Sequence, residues 1–337
     1  MNYFITGGTG FIGTHLASLL HEVHPETRIY NLDIVEPGTP LPTVKNYKPA
    51  LGNGEEHAAT FIYCDVRQPI ELEKVNITPE DVIFNFAAVH RTPGHPDPAY
   101  FETNIRGAEN VCAFAERHGI RKIVFTSSIA PYGAAEELKE ETTLPMPNTP
   151  YGISKLVAEK IHQTWQAGGE GRQLTIVRPG VVFGRGENGN FTRLYWGIRG
   201  HKFMYPGRKD TIKACIYVKE LVRFMLYRLE HHDSGVELYN CCYEPAYTIE
   251  HIVESMKRVT NMKVKVPFMP GWLIMTAAGI AGALGSPMGI CPARVRKLQI
   301  STNICGKKLS ASGYRFHYTF EEALADWYKD NGNLYLQ

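Results

Sequence analysis

The sequence lacks the features that mark metal-binding, disulfide-rich or nucleic-acid-binding proteins. Its seven cysteines are odd in number and include no Cys-x-x-Cys pair, and no histidine cluster has the spacing of metal ligands. We therefore expect reduced thiols, a cytoplasmic location and no metal site. The formal net charge of only +2, with no run of lysines and arginines, gives no reason to expect nucleic acid as a partner.

We also expect no signal peptide, because the first predicted strand begins at residue 2. An uncharged stretch runs from Val266 to Pro292, but four prolines and five glycines interrupt it. The resulting pieces are too short to cross about 30 Å of hydrocarbon. A buried or partly exposed helix near 271–284 is the simpler interpretation, and peripheral contact with a lipid tail or the inner face of a membrane stays open.

Strand and helix patterns alternate through about residue 180, which predicts an α/β fold with a doubly wound parallel sheet. Shorter, mixed elements follow. We therefore predict a first domain at 1–180 and a smaller mixed α/β region at 181–330, interleaved with it. The predicted strands cover 2–6, 28–32, 60–64, 82–86, 122–126, 174–178 and 236–241, and the predicted helices cover 14–20, 98–118, 150–167, 218–231, 248–260 and 319–329.

A glycine-rich turn, Gly7-Gly8-Thr9-Gly10-Phe11-Ile12-Gly13, joins the first strand to a helix. Gly7 allows the tight turn, Gly10 lets the backbone approach a pyrophosphate, and Gly13 lets the helix pack on the strand. Phe11 and Ile12 stand where the helix N-terminus would face the phosphates. The order of strand, turn and helix predicts a Rossmann dinucleotide site in the first domain.

Acidic and small residues follow the next strands. Asp33 lies twenty positions after Gly13, where a carboxylate accepts hydrogen bonds from ribose hydroxyls and repels the phosphate of NADP, so we predict NAD. Further residues follow the third and fourth strands at the edge that would meet the cofactor. These are Asp65, Val66, Ala87 and Ala88. A helix N-cap explains Asp65 equally well, and close packing explains the alanines.

A tyrosine and a lysine, Tyr151 and Lys155, are four residues apart on a predicted helix and so share one face. A neighbouring ammonium favours the phenolate and lowers the tyrosine pKa. The pair is therefore a candidate general base near neutral pH.

Together the glycine turn, Asp33, Ser127-Ser128 and Tyr151-Gly152-Ile153-Ser154-Lys155 resemble the extended short-chain dehydrogenase/reductases, the NAD-dependent sugar epimerase and dehydratase group. The resemblance covers essentially the whole chain. It implies that Ser128 hydrogen-bonds the reacting hydroxyl, that Tyr151 removes its proton, and that Lys155 holds the nicotinamide ribose. The resemblance also assigns Asn104 and Pro179 to the cofactor side of the site, and Asn104 would steady the active-site helix. It further implies a homodimer through the helices at 98–118 and 150–167.

Two further residues separate the reactions of this group. The 4,6-dehydratases carry an Asp-Glu pair after the active-site hydroxyl, whereas Ile129-Ala130 follow Ser128 here. The resemblance therefore favours 4-epimerisation through a transient 4-keto sugar over dehydration. A net oxidoreductase acting on a hydroxysteroid-like or sugar alcohol is the alternative, because such relatives also carry the run Arg178-Pro179-Gly180-Val181-Val182-Phe183-Gly184.

The expected substrate is a sugar diphosphate. Val181 and Lys213 stand where nucleotide-sugar enzymes usually carry asparagine and arginine, which weakens the expected grip on a nucleotide diphosphate. His90-Arg91, Phe203-Met204, Lys213 and Arg294-Val295-Arg296 look similar to epimerases of N-acetylglucosamine attached through diphosphate to a polyprenyl lipid. UDP-linked and lipid-linked substrates both stay open, and each cation could equally be a solvated surface charge. The implied substrate contacts are His90, Arg91, Ser128, Val181, Asn190, Lys213 and Arg294.

Overall fold

The structure is a computed structural model that describes residues 1–38, 59–90, 94–133, 135–233, 235–273 and 299–337. Its strands, in chain order, are β1 (Asn2–Thr6), β2 (Arg28–Asp33), β3 (Thr60–Tyr63), β4 (Val82–Asn85), β5 (Lys122–Thr126), β6 (Ala135–Lys139), β7 (Gln173–Pro179), β8 (Val181–Phe183), β9 (Tyr205–Pro206), β10 (Ile212–Lys213), β11 (Cys215–Tyr217), β12 (Val236–Cys241), β13 (Tyr247–Thr248), β14 (Phe268–Met269) and β15 (Thr302–Ile304).

The helices, in chain order, are α1 (Phe11–Val23), α2 (Asp97–Arg117), α3 (Pro150–Ala167), α4 (Asn190–Arg199), α5 (Val218–Glu230), α6 (Ile249–Val259), α7 (Lys307–Ala311) and α8 (Phe320–Asp330), with a 3₁₀ turn at Ala130–Tyr132. Helix α1 begins at Phe11, three residues before the predicted start.

The central sheet has seven parallel strands in the order β12-β7-β5-β4-β1-β2-β3. This confirms the predicted doubly wound sheet. In its register, Thr6 lies opposite both Leu32 and Asn85, and Thr126 lies opposite Val177. The carboxyl ends of β1, β2, β4, β5 and β7 therefore meet at one edge, where such folds bind their ligands.

The central strands are apolar along their whole length because helices cover both faces of the sheet. Helices α1 and α5 contribute Leu16 and Val222 to one core cluster, which also contains Ile5 of β1. Helices α2 and α3 contribute to the second cluster, in which Val111 and Phe4 are fully buried. Adjacent β1 residues thus face opposite layers, as strand geometry requires.

Smaller sheets pack beyond the main one. A four-stranded sheet has the order β13-β10-β15-β6, and the pairs β8–β11 and β9–β14 are each parallel. Strand β12 comes from the second half of the chain but joins the central sheet, whereas β6 comes from the first half and joins the four-stranded sheet. The division at residue 180 stays a prediction.

The described ranges bear on two features, membrane-spanning helices and groups of metal ligands. No helix within the described ranges is long and apolar enough to span a membrane. Across those same ranges, no three His, Cys, Asp or Glu side chains are grouped as metal ligands. The helix expected near 271–284 lies, from residue 274 on, outside the described residues.

Candidate active site

The glycine turn brings the start of α1 close to the ends of β1 and β4. Gly7 has a positive φ of +69°, and a Cβ there would lie 2.8 Å from the backbone nitrogen of Ala87. A Cβ on Gly13 would lie 2.6 Å from the carbonyl oxygen of Gly8. Both positions therefore require glycine, one for its conformation and both for close packing.

The carboxylate of Asp33 is fixed beside this turn. It accepts hydrogen bonds from the backbone nitrogens of Thr9 at 3.2 Å, Ile34 at 2.7 Å and Val35 at 3.2 Å. The Thr9 hydroxyl donates to the carbonyl of Val35 at 2.9 Å, which ties the turn to the chain after β2. A carboxylate has about four acceptor positions, so Asp33 keeps capacity for a further hydroxyl donor.

These residues fit a dinucleotide. Helix α1 begins after Gly10 without a side-chain cap from the described residues, and its first turn contains no acidic residue. Its N-terminal N–H groups and the positive end of its dipole are therefore suited to a pyrophosphate, with Gly10, Phe11 and Ile12 nearest to it. Asp33 stands at the neighbouring strand end for a ribose.

Asp65 and Val66 follow β3. Arg67 forms an ion pair with Asp65, with Nη2 and Oδ2 2.6 Å apart, and its hydrogen bonds hold the pKa of Asp65 below the ordinary value. The Arg67 backbone nitrogen donates to Asp65 Oδ1 at 3.0 Å, so Asp65 closes a turn and the alternative of a helix N-cap is wrong. Val66 is buried, and its carbonyl accepts a bond from Asn110 at 2.8 Å. Ala88 is half-buried.

The catalytic candidates meet at the carboxyl end of β5. Ser128 accepts a hydrogen bond from the backbone nitrogen of Ala130 at 3.1 Å, and its hydroxyl is close enough to the Tyr151 phenol to exert a lowering effect on the pKa of Tyr151. Helix α3 places Tyr151 in its first turn, where Thr149 caps the helix through the Gly152 nitrogen. The ring of Tyr100, on α2, lies 6.3 Å from the Tyr151 ring, centroid to centroid. The structure thus brings Ser128 and Tyr151 to the same edge of the sheet.

Lys155 lies one turn along α3 and is almost fully buried. Its Nζ donates to the carbonyl oxygen of Thr126 at 2.7 Å and lies 4.7 Å from the centroid of the Phe125 ring. Burial lowers the pKa of Lys155 to about 7, with Glu159 acting in the opposite direction.

The expected low pKa of Tyr151 is wrong for this structure. Burial raises the pKa of Tyr151 to about 12, and the hydrogen bond from Ser128 opposes that rise. Lys155 is not among the causes, because its ammonium is directed at the Thr126 carbonyl. Desolvation, which the spacing of the two residues does not reveal, dominates here.

A buried network lies directly behind this pair and was missed from the sequence. The Ser127 hydroxyl donates to Glu159 Oε1 at 2.5 Å, and Arg178 donates to both oxygens of Glu159. The guanidinium carbon of Arg178 lies 4.7 Å from the centroid of the Tyr132 ring. Glu159 could have been found, because it extends the four-residue spacing of Tyr151 and Lys155 by one more turn.

Asn104 joins two parts of the site. Its Oδ1 accepts from the Val89 nitrogen at 2.8 Å, and its Nδ2 donates to the Val89 carbonyl at 3.1 Å and to Ser154 Oγ at 2.9 Å. The Ser154 hydroxyl donates in turn to the carbonyl of Tyr151 at 2.9 Å. Asn104 therefore fixes the chain after β4 against the start of α3.

The implied substrate contacts are placed on several elements. Val181 is half-buried in β8, where its nitrogen donates to the Ala214 carbonyl at 2.8 Å. Lys213 on β10 donates from Nζ to the carbonyl of Ile300 at 2.7 Å. Asn190, the first residue of α4, is exposed and accepts a bond from Arg193 at 2.9 Å.

The remaining candidates frame the carboxyl edge. His90 is exposed and follows Val89. Pro179 ends β7, and its carbonyl accepts from the Ile129 nitrogen at 3.2 Å. Ile129 packs in a small apolar cluster with Tyr132, so no acid or base occupies that position. Arg91 and Arg294 lie outside the described residues.

A family model described as "NAD dependent epimerase/dehydratase family" matches residues 3–242, which is more than half of the chain. The chain belongs to this family. A family member from Escherichia coli O157:H7, N-acetyl-alpha-D-glucosaminyl-diphospho-ditrans,octacis-undecaprenol 4-epimerase, is 30% identical over 329 residues, covering 96% of this chain and 93% of that protein.

Two more comparisons agree with membership of the family. UDP-glucose 4-epimerase 3 of Oryza sativa subsp. japonica is 26% identical over 297 residues, covering 79% of this chain and 78% of that protein. The structure of UDP-N-acetylglucosamine 4-epimerase from Methanobrevibacter ruminantium M1 superposes with a TM-score of 0.74 at 22% identity, over 98% of each chain. The superposition shows that the two share a fold.

Proposed function

We propose that this protein is an NAD-dependent 4-epimerase of a hexose or N-acetylhexosamine linked to diphosphate. The observation that carries the proposal is that Ser128, Tyr151 and Lys155 come together at the sheet edge that also holds the glycine turn. Membership of the epimerase/dehydratase family and the absence of an acid/base pair at Ile129-Ala130 support it. Two of the similar proteins are named as 4-epimerases, which also supports this reaction.

The cofactor is proposed to lie along the carboxyl edge. Gly7, Gly10, Phe11, Ile12 and Gly13 would receive the pyrophosphate, and Asp33 would receive the adenosine ribose. The segments with Asp65 and Val66, Ala87 and Ala88, and Pro179 would line the rest of the cofactor site. NAD, when bound, supplies the acceptor and the donor for the hydride that leaves and returns to C4 of the sugar.

The chain's own groups handle the proton. Tyr151 would take the proton of the C4 hydroxyl on its phenol oxygen, and Ser128 would hold that hydroxyl and the phenol in line. Burial raises the pKa of Tyr151 to about 12, and Ser128 opposes that rise, so the Ser128 side chain favours the phenolate that the reaction needs. Lys155 would also hold the nicotinamide ribose. Asn104 acts as a positioning residue, since its amide bonds Val89 and Ser154.

Two observations favour a polyprenyl carrier over UDP. The relative from Escherichia coli O157:H7 is named as acting on an undecaprenol-linked sugar and is matched along nearly the whole chain. Val181, at a position where nucleotide-sugar enzymes usually carry asparagine, has an aliphatic side chain without a hydrogen-bond donor and packs against an apolar cluster. His90, Arg91, Lys213 and Arg294 would supply cations for the diphosphate, and Asn190 an amide.

A direct assay decides between the carriers. Purified protein with NAD is offered UDP-N-acetylglucosamine and, separately, its polyprenyl-diphosphate counterpart in detergent, and each product is analysed for the C4 epimer. We expect conversion of the lipid-linked sugar at a higher kcat/KM. Conversion of the UDP sugar alone would contradict the lipid carrier, and conversion of neither would contradict the 4-epimerase.

We also propose a homodimer through α2 and α3. Ile153 and Val157 support it, because they lie one turn apart on α3 and both are exposed apolar side chains. Each sits on the outer face of the helix, opposite the buried residues Ala158 and Trp165. A self-associating pair of helices would cover such a stripe.

A further inference from the structure

Two segments that pair through β9 and β14 expose aromatic and aliphatic side chains. Tyr205 lies opposite Phe268 in this parallel ladder, and the Tyr205 nitrogen donates to the Pro267 carbonyl at 3.0 Å. Phe268 is 51% exposed, Trp272 is 70% exposed and Leu273 is 42% exposed. Because large apolar side chains are normally buried, three of them exposed within six residues mark an interaction surface.

The same segments carry positive charge without acidic residues. Residues 261–273 include Lys263 and Lys265 but no Asp or Glu, and residues 197–209 include Lys202 and likewise no Asp or Glu. The three lysines are exposed and form no ion pair with a carboxylate in the described part of the chain. Because the strands run in parallel, the residues that precede them, Lys202 and Lys265, lie toward the same end of the ladder.

Cations farther along the first segment have partners. Arg208 forms ion pairs with Glu136 and Asp210, and Lys209 pairs with Glu250 at 2.9 Å. The three lysines without ion pairs among the described residues therefore belong to the stretches that precede β9 and β14, and Lys263 and Lys265 stand close before Phe268 in the chain. We call Lys202, Lys263, Lys265, Phe268, Trp272 and Leu273 the basic–aromatic surface.

We propose that the basic–aromatic surface binds an anionic phospholipid bilayer. Tryptophan and phenylalanine favour the boundary between headgroups and acyl chains, and lysines are attracted to the negative surface potential of anionic lipids. The charge favours an anionic occupant, because an apolar partner protein would not require three lysines, without ion pairs in the described ranges, on the segments that carry the exposed side chains. A polyprenyl-linked sugar lies in a bilayer, so binding to the bilayer would bring the proposed active site to its substrate. The inference therefore rests on the proposed function.

The test uses the full-length protein and extruded vesicles without any sugar. Wild-type protein is sedimented with vesicles of phosphatidylglycerol and phosphatidylcholine in a 3:7 ratio, and with vesicles of phosphatidylcholine alone. We expect binding to the mixed vesicles that weakens as salt is raised from 50 to 500 mM, and at least tenfold weaker binding to the neutral vesicles. No binding to either composition would overturn the inference.

Two sets of variants locate the contact. Phe268→Ala/Trp272→Ala and, separately, Lys202→Gln/Lys263→Gln/Lys265→Gln are each expected to reduce the partition coefficient on mixed vesicles at least tenfold. The controls, Leu334→Ala and Lys160→Gln/Lys307→Gln/Lys329→Gln, remove an exposed apolar residue and three exposed lysines elsewhere and are expected to bind like wild type. Equal losses in controls and test variants would contradict a localised surface.

The second variant set keeps the test decisive if the aromatic variant fails to fold, because its changes lie on exposed side chains. Sedimentation velocity without vesicles checks whether a second copy covers the surface. An unchanged association state in both variant sets is expected, and dissociation of wild-type dimers by either set would overturn the bilayer assignment. Epimerase activity is measured separately on a detergent-solubilised substrate. A protein that turns over this substrate but does not bind vesicles would contradict the bilayer inference and leave the proposed function intact.

Discussion

Glu159 on α3 and Arg178 on β7 form a buried two-bond ion pair, with Nε 2.8 Å from Oε1 and Nη2 2.6 Å from Oε2. The side chains of Arg178 and Glu159 are only 3% and 1% exposed. Ser127 donates to the same carboxylate, so one acidic group joins the ends of β5 and β7 to the helix that carries Tyr151 and Lys155. This pair therefore sets the distance between the strand with Ser128 and the helix with its partner.

Removing the carboxylate should destabilise the protein. In Glu159→Gln the guanidinium of Arg178 stays buried without its counter-charge, and we expect the free energy of unfolding to fall by about 3–5 kcal/mol. The double variant Glu159→Met/Arg178→Met removes both buried charges together. Its loss in the free energy of unfolding should be smaller than the summed losses of the two single variants. Urea unfolding of wild type, Glu159→Met, Arg178→Met and the double variant measures this coupling, and additive losses would contradict a coupled pair.

Two substitutions separate the proton acceptor from its hydrogen-bond partner. Tyr151→Phe is expected to lower kcat by roughly 10²–10⁴-fold while NAD stays bound, because it removes the phenol oxygen alone. Ser128→Ala should keep measurable activity but raise the pKa of Tyr151, since the hydrogen bond that opposes the effect of burial is lost. The acid limb of its pH–kcat profile should therefore move to higher pH. An unchanged profile for Ser128→Ala would show that the two side chains do not cooperate.

A buried histidine makes stability depend on pH. Asn85 Nδ2 lies 3.1 Å from His162 Nε2, and His162 Nδ1 lies 2.7 Å from the Ala158 carbonyl. Because Asn85 Oδ1 accepts from Thr6, its Nδ2 donates and Nε2 stays unprotonated. Burial lowers the pKa of His162 from 6.5 to about 4.

Because the pKa of His162 is lowered on folding, the protein should lose stability as the pH falls. In the unfolded chain His162 binds a proton below pH 6.5, whereas in the folded protein it binds one only below about pH 4. The contribution of neutral His162 to the free energy of unfolding is therefore complete above pH 6.5 and is lost as the pH falls through 4. The loss is about 3 kcal/mol. His162→Gln should reduce the pH dependence of urea unfolding between pH 7 and 4 by about that amount. A variant with the wild-type slope would show that His162 does not contribute to acid lability.

The proposed dimer makes its own prediction. Val157→Glu places a charge in the exposed stripe on α3, and we expect it to convert a dimer into a monomer because a buried unpaired carboxylate is costly. Light scattering at micromolar concentration measures the mass. Lys160→Gln, on the same helix and also exposed, is the matched control. A monomeric wild-type protein would contradict the proposal outright.

Much of the fold could be predicted because its signals are local. The buried strands β1, β4 and β5 are short runs of mostly apolar residues, and the helices between the strands have clear apolar periodicity. The two-residue strands β9 and β10 were missed, since nothing within two residues specifies a strand. Their hydrogen bonds come from partners up to 89 residues away.

The site could be predicted only in part. The spacing of Tyr151 and Lys155 predicted that they share a helix face, and the structure places Ser128, which the family resemblance assigned to the site, near Tyr151. The direction of the Tyr151 pKa shift was wrong, because burial is a property of the packed molecule and not of the local sequence. Arg178 was seen only as part of a strand, since its partner Glu159 lies on another element.

The central claim is that this site removes hydrogen from C4 of the sugar and returns it to the same carbon. The most direct measurement follows deuterium at C4 of the diphosphate-linked N-acetylglucosamine during turnover in ordinary water, with the cofactor's redox state monitored. We predict that the C4 epimer retains the deuterium at C4, with no net reduction of the cofactor. Stoichiometric reduction of the cofactor with an accumulating ketone, or an epimer that has exchanged its C4 hydrogen with water, would contradict the account.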